Sequence, residues 1–358
     1  MTSPITELPL RRLGWDDGWE AEFVQHRAVG LVPARVAIQH RGAYDVVGSE
    51  GTTRVSASPR LVREEGLPAV GDWIGLDPTS GQIDALLPRR TVLSRKEAWN
   101  AVREQVLAAN VDVALVVAGL DAVPNLRRIE RTLAMALSSG ARPVVLLSKA
   151  DLAGETAEER AAEVRRTATG ALVVAVSALT GQSVDRLPDL VPAGRTAVLL
   201  GPSGVGKSTL VNRLAGGDVM RTAAVRSDGK GRHTTTHREL VALPWGGLLI
   251  DTPGLRELQV WSDLEEAGGI ARLFADVEAL AARCRFSDCG HTREPGCTVQ
   301  AAIAAGELTS GRLESYRKLQ RDATTVGQRV GRQRKREAAL GRRRRIALMR
   351  EEELAGGS

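Results

Sequence analysis

The chain has 358 residues, 43% of them hydrophobic, with a net charge of +6 and a sequence pI of about 9.6. That length accommodates two or three domains with at least one buried core. No apolar run reaches the roughly 18–20 residues of a membrane span, and residues 1–17 lack the basic start and apolar stretch of a signal peptide, so a soluble cytoplasmic protein without membrane association is expected. Aromatic residues make up only 3%, which leaves Val, Leu, Ile and Ala to build the cores.

Residues 1–30 carry few structural signals, and the stretch to Asp17 reads as disordered. Short strand-like runs follow at residues 34–39, 43–47, 52–57, 72–77 and 82–87, separated by turn sequences such as Arg41-Gly42 and Pro78-Thr79-Ser80-Gly81. Five short strands in this span suggest a small β-barrel, and the five-stranded OB-fold, which closes on itself and commonly binds nucleic acid, is the natural candidate.

From about Asn110 the pattern changes to alternating strands and helices. Residues 111–120 form a near-continuous apolar run, as in a strand buried on both faces. Leu126, Ile129, Leu133 and Leu137 follow at helical spacing. Further buried strands are expected at 143–147, 171–176, 196–200 and 247–250, with a charged helix near 155–167. This alternation implies a mostly parallel sheet covered on both faces, whose ligands bind outside the C-terminal ends of the strands. Beyond about Trp261 the pattern is helical. Residues 331–350 hold nine Lys or Arg against one acid, Glu337. Such a run is either a solvated helix or tail, or a contact to a polyanion.

The motifs lie at the expected strand ends. Gly201-Pro202-Ser203-Gly204-Val205-Gly206-Lys207-Ser208 matches the P-loop in full, between a strand and a helix that starts through Thr209. Its glycines turn backbone N–H groups around phosphates, Lys207 reaches the β- and γ-phosphates, and Ser208 ligates Mg²⁺. Asp251-Thr252-Pro253-Gly254 ends another strand; its carboxylate suits Mg²⁺ through a water, and the Gly254 N–H suits the γ-phosphate. Between these lie Thr234, Thr235 and Thr236, of which Thr236 is the preferred switch ligand, completing the Mg²⁺ shell only while the γ-phosphate is present. Ser148-Lys149-Ala150-Asp151 resembles the guanine motif N-K-x-D, and Ser177-Ala178 resembles the element that offers a backbone N–H to guanine O6. Ser148 stands where that motif has Asn, and its shorter side chain is expected to reach the P-loop backbone less well. Guanine recognition here precedes the P-loop, the reverse of the ordinary order, which marks a circularly permuted GTPase using GTP/GDP. The second switch then runs directly into the C-terminal region. That region holds Cys284, Cys289, His291 and Cys297, a closed donor set suited to one structural Zn²⁺.

Taken together, these residues resemble the ribosome small subunit-dependent GTPase family (RsgA/YjeQ) over about residues 30–320. The resemblance extends to residues 105–112, 125–131, 231–236 and 284–297, the last of which separates this family from other permuted GTPases. It implies a multi-domain α/β chain: an N-terminal extension (1–30), an OB-fold β-barrel (31–95), a circularly permuted P-loop GTPase domain (96–262), a mostly helical zinc-binding domain (263–325) and a basic extension (326–358), longer than the family pattern. It also implies a monomer acting in late maturation of the small ribosomal subunit, with rRNA and ribosome assembly factors as partners and hydrolysis stimulated by the subunit. No Gln follows Gly254 closely, so slow intrinsic turnover is expected, and His233 is the candidate to orient the attacking water. The rival readings are a P-loop ATPase or kinase, and an RNA-binding protein with a non-catalytic nucleotide site.

Overall fold

The computed structural model describes residue 5 and residues 8–97, 100–216, 238–251 and 268–324. The N-terminal segment is more ordered than its sequence suggests. A 3₁₀ turn, Leu10–Leu13, leads into helix α1, Asp17–Ala28, and Leu13, Trp15, Trp19 and Phe23 are buried. The expectation of disorder up to Asp17 is thus corrected for the described residues. Asp16 caps α1 by accepting from the Trp19 N–H at 2.9 Å, and its ion pair with Arg90 holds its carboxyl down at about 2. Trp15 packs edge-on against Trp73 at 4.8 Å between ring centroids, and Arg90 lies 3.9 Å over the Trp19 ring. The scarce aromatics are therefore concentrated where α1 meets the barrel.

The barrel strands are β1 (Val32–Gln39), β2 (Tyr44–Gly48), β3 (Gly51–Ala57), then helix α2 (Pro59–Glu64), β4 (Trp73–Asp77) and β5 (Gln82–Leu86). They pair in the order β1-β2-β3-β5-β4 and close through β1–β4, with β3–β5 parallel and the other pairs antiparallel. This is the five-stranded OB-like barrel expected from the sequence, filled by Ala34, Val36, Val46, Val55, Ile74 and Ile83. A hairpin absent from the sequence reading follows, β6 (Val92–Glu97) and β7 (Asn100–Ala109), spanning the expected boundary at residue 95.

The second layer system comprises β8 (Val113–Gly119), α3 (Leu126–Ser138), β9 (Arg142–Ser148), α4 (Ala157–Thr167), β10 (Leu172–Ala175), α5 (Leu187–Leu190), β11 (Thr196–Leu200), α6 (Lys207–Ala215), β12 (Arg238–Ala242) and β13 (Leu248–Asp251). The order is β10-β9-β8-β11-β13-β12, parallel except for β12. Alternate residues of the central strands feed opposite faces: Val113, Leu115 and Val117 pack on one side, Ala114 and Val116 on the other. At its far edge β12 pairs antiparallel with barrel strand β1, Ile38 opposite Glu239 and Gln39 opposite Arg238. Among the described residues the barrel and the parallel sheet thus form one continuous eleven-stranded sheet.

The C-terminal part is helical, with α7 (Gly269–Leu273), α8 (Ala275–Ala281), α9 (Thr298–Ala304) and a helix over 310–324. It sits on α3. A Cβ at Gly269 would lie 2.2 Å from the Ala134 carbonyl, so only glycine allows this approach. Arg131 of α3 meets Asp322 at 2.8 Å. No helix among the described residues is long and apolar enough to cross a membrane.

Candidate nucleotide site and metal centre

The parallel strands bring their C-terminal ends to one edge, and the sequence motifs meet there. The chain leaves β11 at Gly201, whose Cβ would fall 2.4 Å from the Val117 carbonyl of the neighbouring strand. Gly204 and Gly206 take left-handed conformations, φ 77° and 95°, and Gly206 caps α6. The loop from 201 to 206 thereby delivers its backbone to the N-terminus of α6, where Lys207, Ser208 and Thr209 form the first turn. The Lys207 ammonium folds back along the loop, donating to the Gly201 carbonyl at 2.7 Å and the Pro202 carbonyl at 2.5 Å.

Ser148, at the end of β9, is buried, and its Oγ donates to the Val205 carbonyl of the P-loop at 2.6 Å and toward the Ala118 carbonyl at 3.2 Å. The expectation that serine would reach the P-loop less well is corrected. The approach follows from the strand order, which sets β9 and β11 on either side of β8; a Cβ at Gly206 would meet Ser148 Oγ only in ordinary contact, at 3.8 Å. Lys149 adopts a left-handed conformation, φ 57°, and its ammonium donates to Asp121 Oδ2 at 2.7 Å. Asp151 Oδ1 accepts from Ser177 Oγ at 2.5 Å, and that same hydroxyl accepts from the Thr180 N–H at 3.1 Å. Ser177 is fully buried, and through it and Ser148 the loops after β9 and β10 are tied to each other and to the P-loop. Ala178 packs against the core beside them. Asp251 ends β13, next to β11 in the sheet. His233, Thr234, Thr235, Thr236 and Gly254 lie outside the described residues, as does the basic stretch beyond 324.

A cleft of about 260 Å³ runs beside the P-loop, lined by Gly201–Val205, Lys149, Asp121 and Asn125. Asp121 was not singled out in the sequence. A lone Asp after a strand carries no local signal, and only the adjacency of β8 and β9 brings it to Lys149.

The second cluster is Cys284, Cys289, His291 and Cys297, whose ligand atoms all lie within 4.8 Å of one another. Cys284 Sγ and Cys297 Sγ are 3.9 Å apart, and each is 3.6 Å from His291 Nδ1. A tetrahedral zinc with bonds of about 2.3 Å to sulfur and about 2.0 Å to nitrogen separates its ligands by about 3.5–3.8 Å, so Cys284, His291 and Cys297 already stand near that spacing, with Cys289 completing a donor set of the right chemistry. Cys297 also caps α9, accepting from the Gln300 N–H at 3.4 Å. His291 is held in a left-handed turn, φ 56°, by Glu294, whose carboxylate accepts from the N–H groups of Gly290, Thr292 and Arg293. Its own backbone N–H, with the Thr292 N–H and hydroxyl and the Arg293 N–H, pulls the Glu294 carboxyl down to about 2.

Residues 86–261 match the model of the RsgA GTPase family. The small ribosomal subunit biogenesis GTPase RsgA of Opitutus terrae is 48% identical over 341 residues, covering 90% of this chain and 92% of that one. The protein of the same name from Streptomyces coelicolor is 46% identical over 320 residues, covering 87% and 86%. This chain belongs to the RsgA GTPase family. The crystal structure of YjeQ from Thermotoga maritima aligns with a TM-score of 0.63 at 25% identity, covering 82% of this chain and 99% of that one. That of YloQ, a circularly permuted GTPase, aligns with a TM-score of 0.60 at 22% identity and shows the same fold.

Membership makes the chain a GTPase with a guanine nucleotide as its ligand, and the geometry accounts for the permuted order. Site formation requires only that β9, β10, β11 and β13 end on one edge, and that edge is the same whichever strand comes first in the chain.

Proposed function

We propose that this chain is a cytoplasmic, monomeric GTPase of small ribosomal subunit biogenesis that binds rRNA, hydrolyses GTP to GDP and phosphate when the subunit stimulates it, and leaves the subunit after hydrolysis. The observation that carries this reading is the Ser148–Val205 hydrogen bond. It joins the guanine-recognition loop to the phosphate loop in a chain whose relatives carry the name small ribosomal subunit biogenesis GTPase. In this reading Asp151 accepts from the base, the Lys149 stem lies over the ring, and the Ala178 N–H faces the base carbonyl. Residues 201–209 wrap the phosphates. Ser208, Asp251 and one of Thr234, Thr235 and Thr236 would hold Mg²⁺, which neutralises charge on the phosphate oxygens. Gly254 donates to the γ-phosphate, and His233 orients the attacking water.

Cys284, Cys289, His291 and Cys297 would hold one structural zinc. Four protein ligands leave no open position for catalysis, so the centre serves to shape the rRNA-facing surface. The nucleotide state of the switch residues sets the zinc-bearing region against the barrel, and assembly factors on the same subunit are its neighbours.

The test is phosphate release by the full chain with GTP or ATP, with and without purified small subunits. Slow GTP turnover that rises severalfold or more with subunits is expected, with GDP and not ADP competing. Equal use of ATP, or a GTP rate indifferent to subunits, overturns the reading. With saturating subunits, His233→Ala is expected to lower the rate; an unchanged rate removes His233 from the mechanism.

A further inference from the structure

In the sheet, β8 lies between β9 and β11, so the loop over residues 120–125 emerges between the guanine loop and the P-loop. Three adjacent strand ends therefore converge on the cleft beside the P-loop, and only the outer two carry a motif readable in the sequence. The middle one is tied firmly to its neighbour. Gly119 stands opposite Ser148 in the parallel register, and the Leu120 N–H donates to the Ser148 carbonyl at 2.9 Å. Arg160 of α4 donates to the Leu120 carbonyl at 2.5 Å. Asp121 folds back over this strand end: a Cβ at Gly119 would fall 2.3 Å from Asp121 Oδ1. Its other oxygen, Oδ2, accepts from the Lys149 ammonium at 2.7 Å. The lysine is thus fixed at both ends, at its backbone by an uncommon left-handed conformation and at its head by a carboxylate from another strand.

We propose that Asp121 is a positioning residue for the base slot, holding the Lys149 ammonium so that the aliphatic stem already lies where the ring stacks. The proposal rests on the reading of Lys149 and Asp151 as the guanine-recognition pair. A lysine stem is long and flexible, and ordering it upon binding opposes affinity; pairing its head in advance removes part of that cost. The ion pair also keeps the Lys149 charge away from the phosphates, leaving them to Lys207. A carboxylate close to a polyphosphate carries an opposite effect, since it repels the ligand. The proposal requires that positioning outweigh repulsion, and this fixes the sign of the test. Lys149 and Asp121 are 29% and 39% exposed, so solvent screens the pair and the expected change is about two- to fivefold.

The experiment uses the full chain and fluorescent GDP. Asp121→Ala is expected to speed GDP release and raise KM for GTP by that factor, with the loss falling on KM rather than on kcat. Asp121→Glu, which can restore the ion pair, is expected to recover most of it. Lys149→Ala is expected to weaken GDP on its own, and adding Asp121→Ala to it to cost nothing further. Tighter GDP binding in Asp121→Ala overturns the proposal, because the carboxylate would then act only by repulsion. An equal loss in the Lys149→Ala background also overturns it, because Asp121 would then act through the fold. Failure of the underlying reading looks different: Lys149→Ala and Asp151→Ala would both leave GDP binding unchanged.

Discussion

At the strand-end edge the polar groups bond to one another within and between neighbouring loops: Lys207 reaches back to Pro202 and Gly201 of its own loop, and Ser177 reaches Asp151 one strand away. At the seam between barrel and sheet, Arg35 of β1 is only 2% exposed and gathers acceptors from across the chain. Its guanidinium donates to the carbonyls of Gly71 (3.2 Å), Asn110 (3.4 Å) and Leu13 and to Thr196 Oγ1 (2.9 Å), and it lies 5.1 Å from the centre of the Trp73 ring. Burial lowers its pKa to about 10, opposed by Asp112 and Asp72, so it stays charged at neutral pH. The difference follows from what completes each region. In the proposed function a nucleotide would supply charge and hydrogen bonds to the edge, so the edge can be completed by a ligand. Arg35 is buried at the seam, so its charge is met by acceptors drawn from within the chain. Thr196 opens the strand that ends in the P-loop, so the seam anchors the base of the strand whose other end carries that loop.

Four measurements would break or sharpen this contrast. Lys207→Ala, at the edge, is expected to cut GTP hydrolysis on the order of 10²–10³-fold while leaving the urea midpoint unchanged, because its partners are carbonyls of an open loop. Arg35→Met, at the seam, should do the reverse. It strands buried acceptors and should lower unfolding free energy by about 3–5 kcal/mol in urea titration, with the barrel and the parallel sheet no longer melting together. Wild-type stability in that variant would mean the seam is held by strand pairing alone. Cys297→Ala removes both a donor from the metal centre and the cap of α9. Metal content should fall, and amide exchange should rise over residues 284–304 without change at residues 201–209.

The smallest effect is expected from Glu130→Gln at a third junction, where α3 meets the helix 310–324. Burial raises the Glu130 pKa above its ordinary value, against a hydrogen bond from Ser315 and the nearby Arg312 and Arg127. A raised carboxyl pKa means that the fold favours the protonated form. The wild type therefore loses stability as pH climbs from the unfolded value through the folded one. Gln cannot ionise, so its thermal midpoint should match that of the wild type in acid and exceed it increasingly as pH rises through that window. A constant difference across pH would show that shape rather than charge decides this junction.

The same contrast separates what was legible in the sequence from what was not. The five barrel strands and the buried strands β8, β9, β10, β11 and β13 follow from runs of apolar residues between turns, which are local patterns. The P-loop motif, the motif at 148–151 and the Cys/His cluster were legible as patterns because the chemistry they suit demands particular residue types at fixed spacing. Helix α1 was missed because only Trp19 and Phe23 of its residues are buried, among charged neighbours, so its periodicity is weak. The hairpin of β6 and β7 offered no tight-turn signal.

Sequence alone therefore determined the family, the motifs at the strand ends and the Cys/His cluster, together with the order of elements that defines the permuted GTPase. It also raised a doubt over Ser148, where a comparison of side-chain lengths could not include how closely the end of β9 approaches the P-loop. Only the tertiary structure decided that Ser148 reaches Val205, that Asp121 meets Lys149, and that Arg35 joins the barrel to the strand carrying the P-loop. Each of these contacts links residues far apart in the chain, from 28 positions for Asp121 and Lys149 to 161 for Arg35 and Thr196. A motif is legible because its partners lie within one loop or one turn. A contact across strands depends on their order in the sheet, and that order is set by packing of the whole chain.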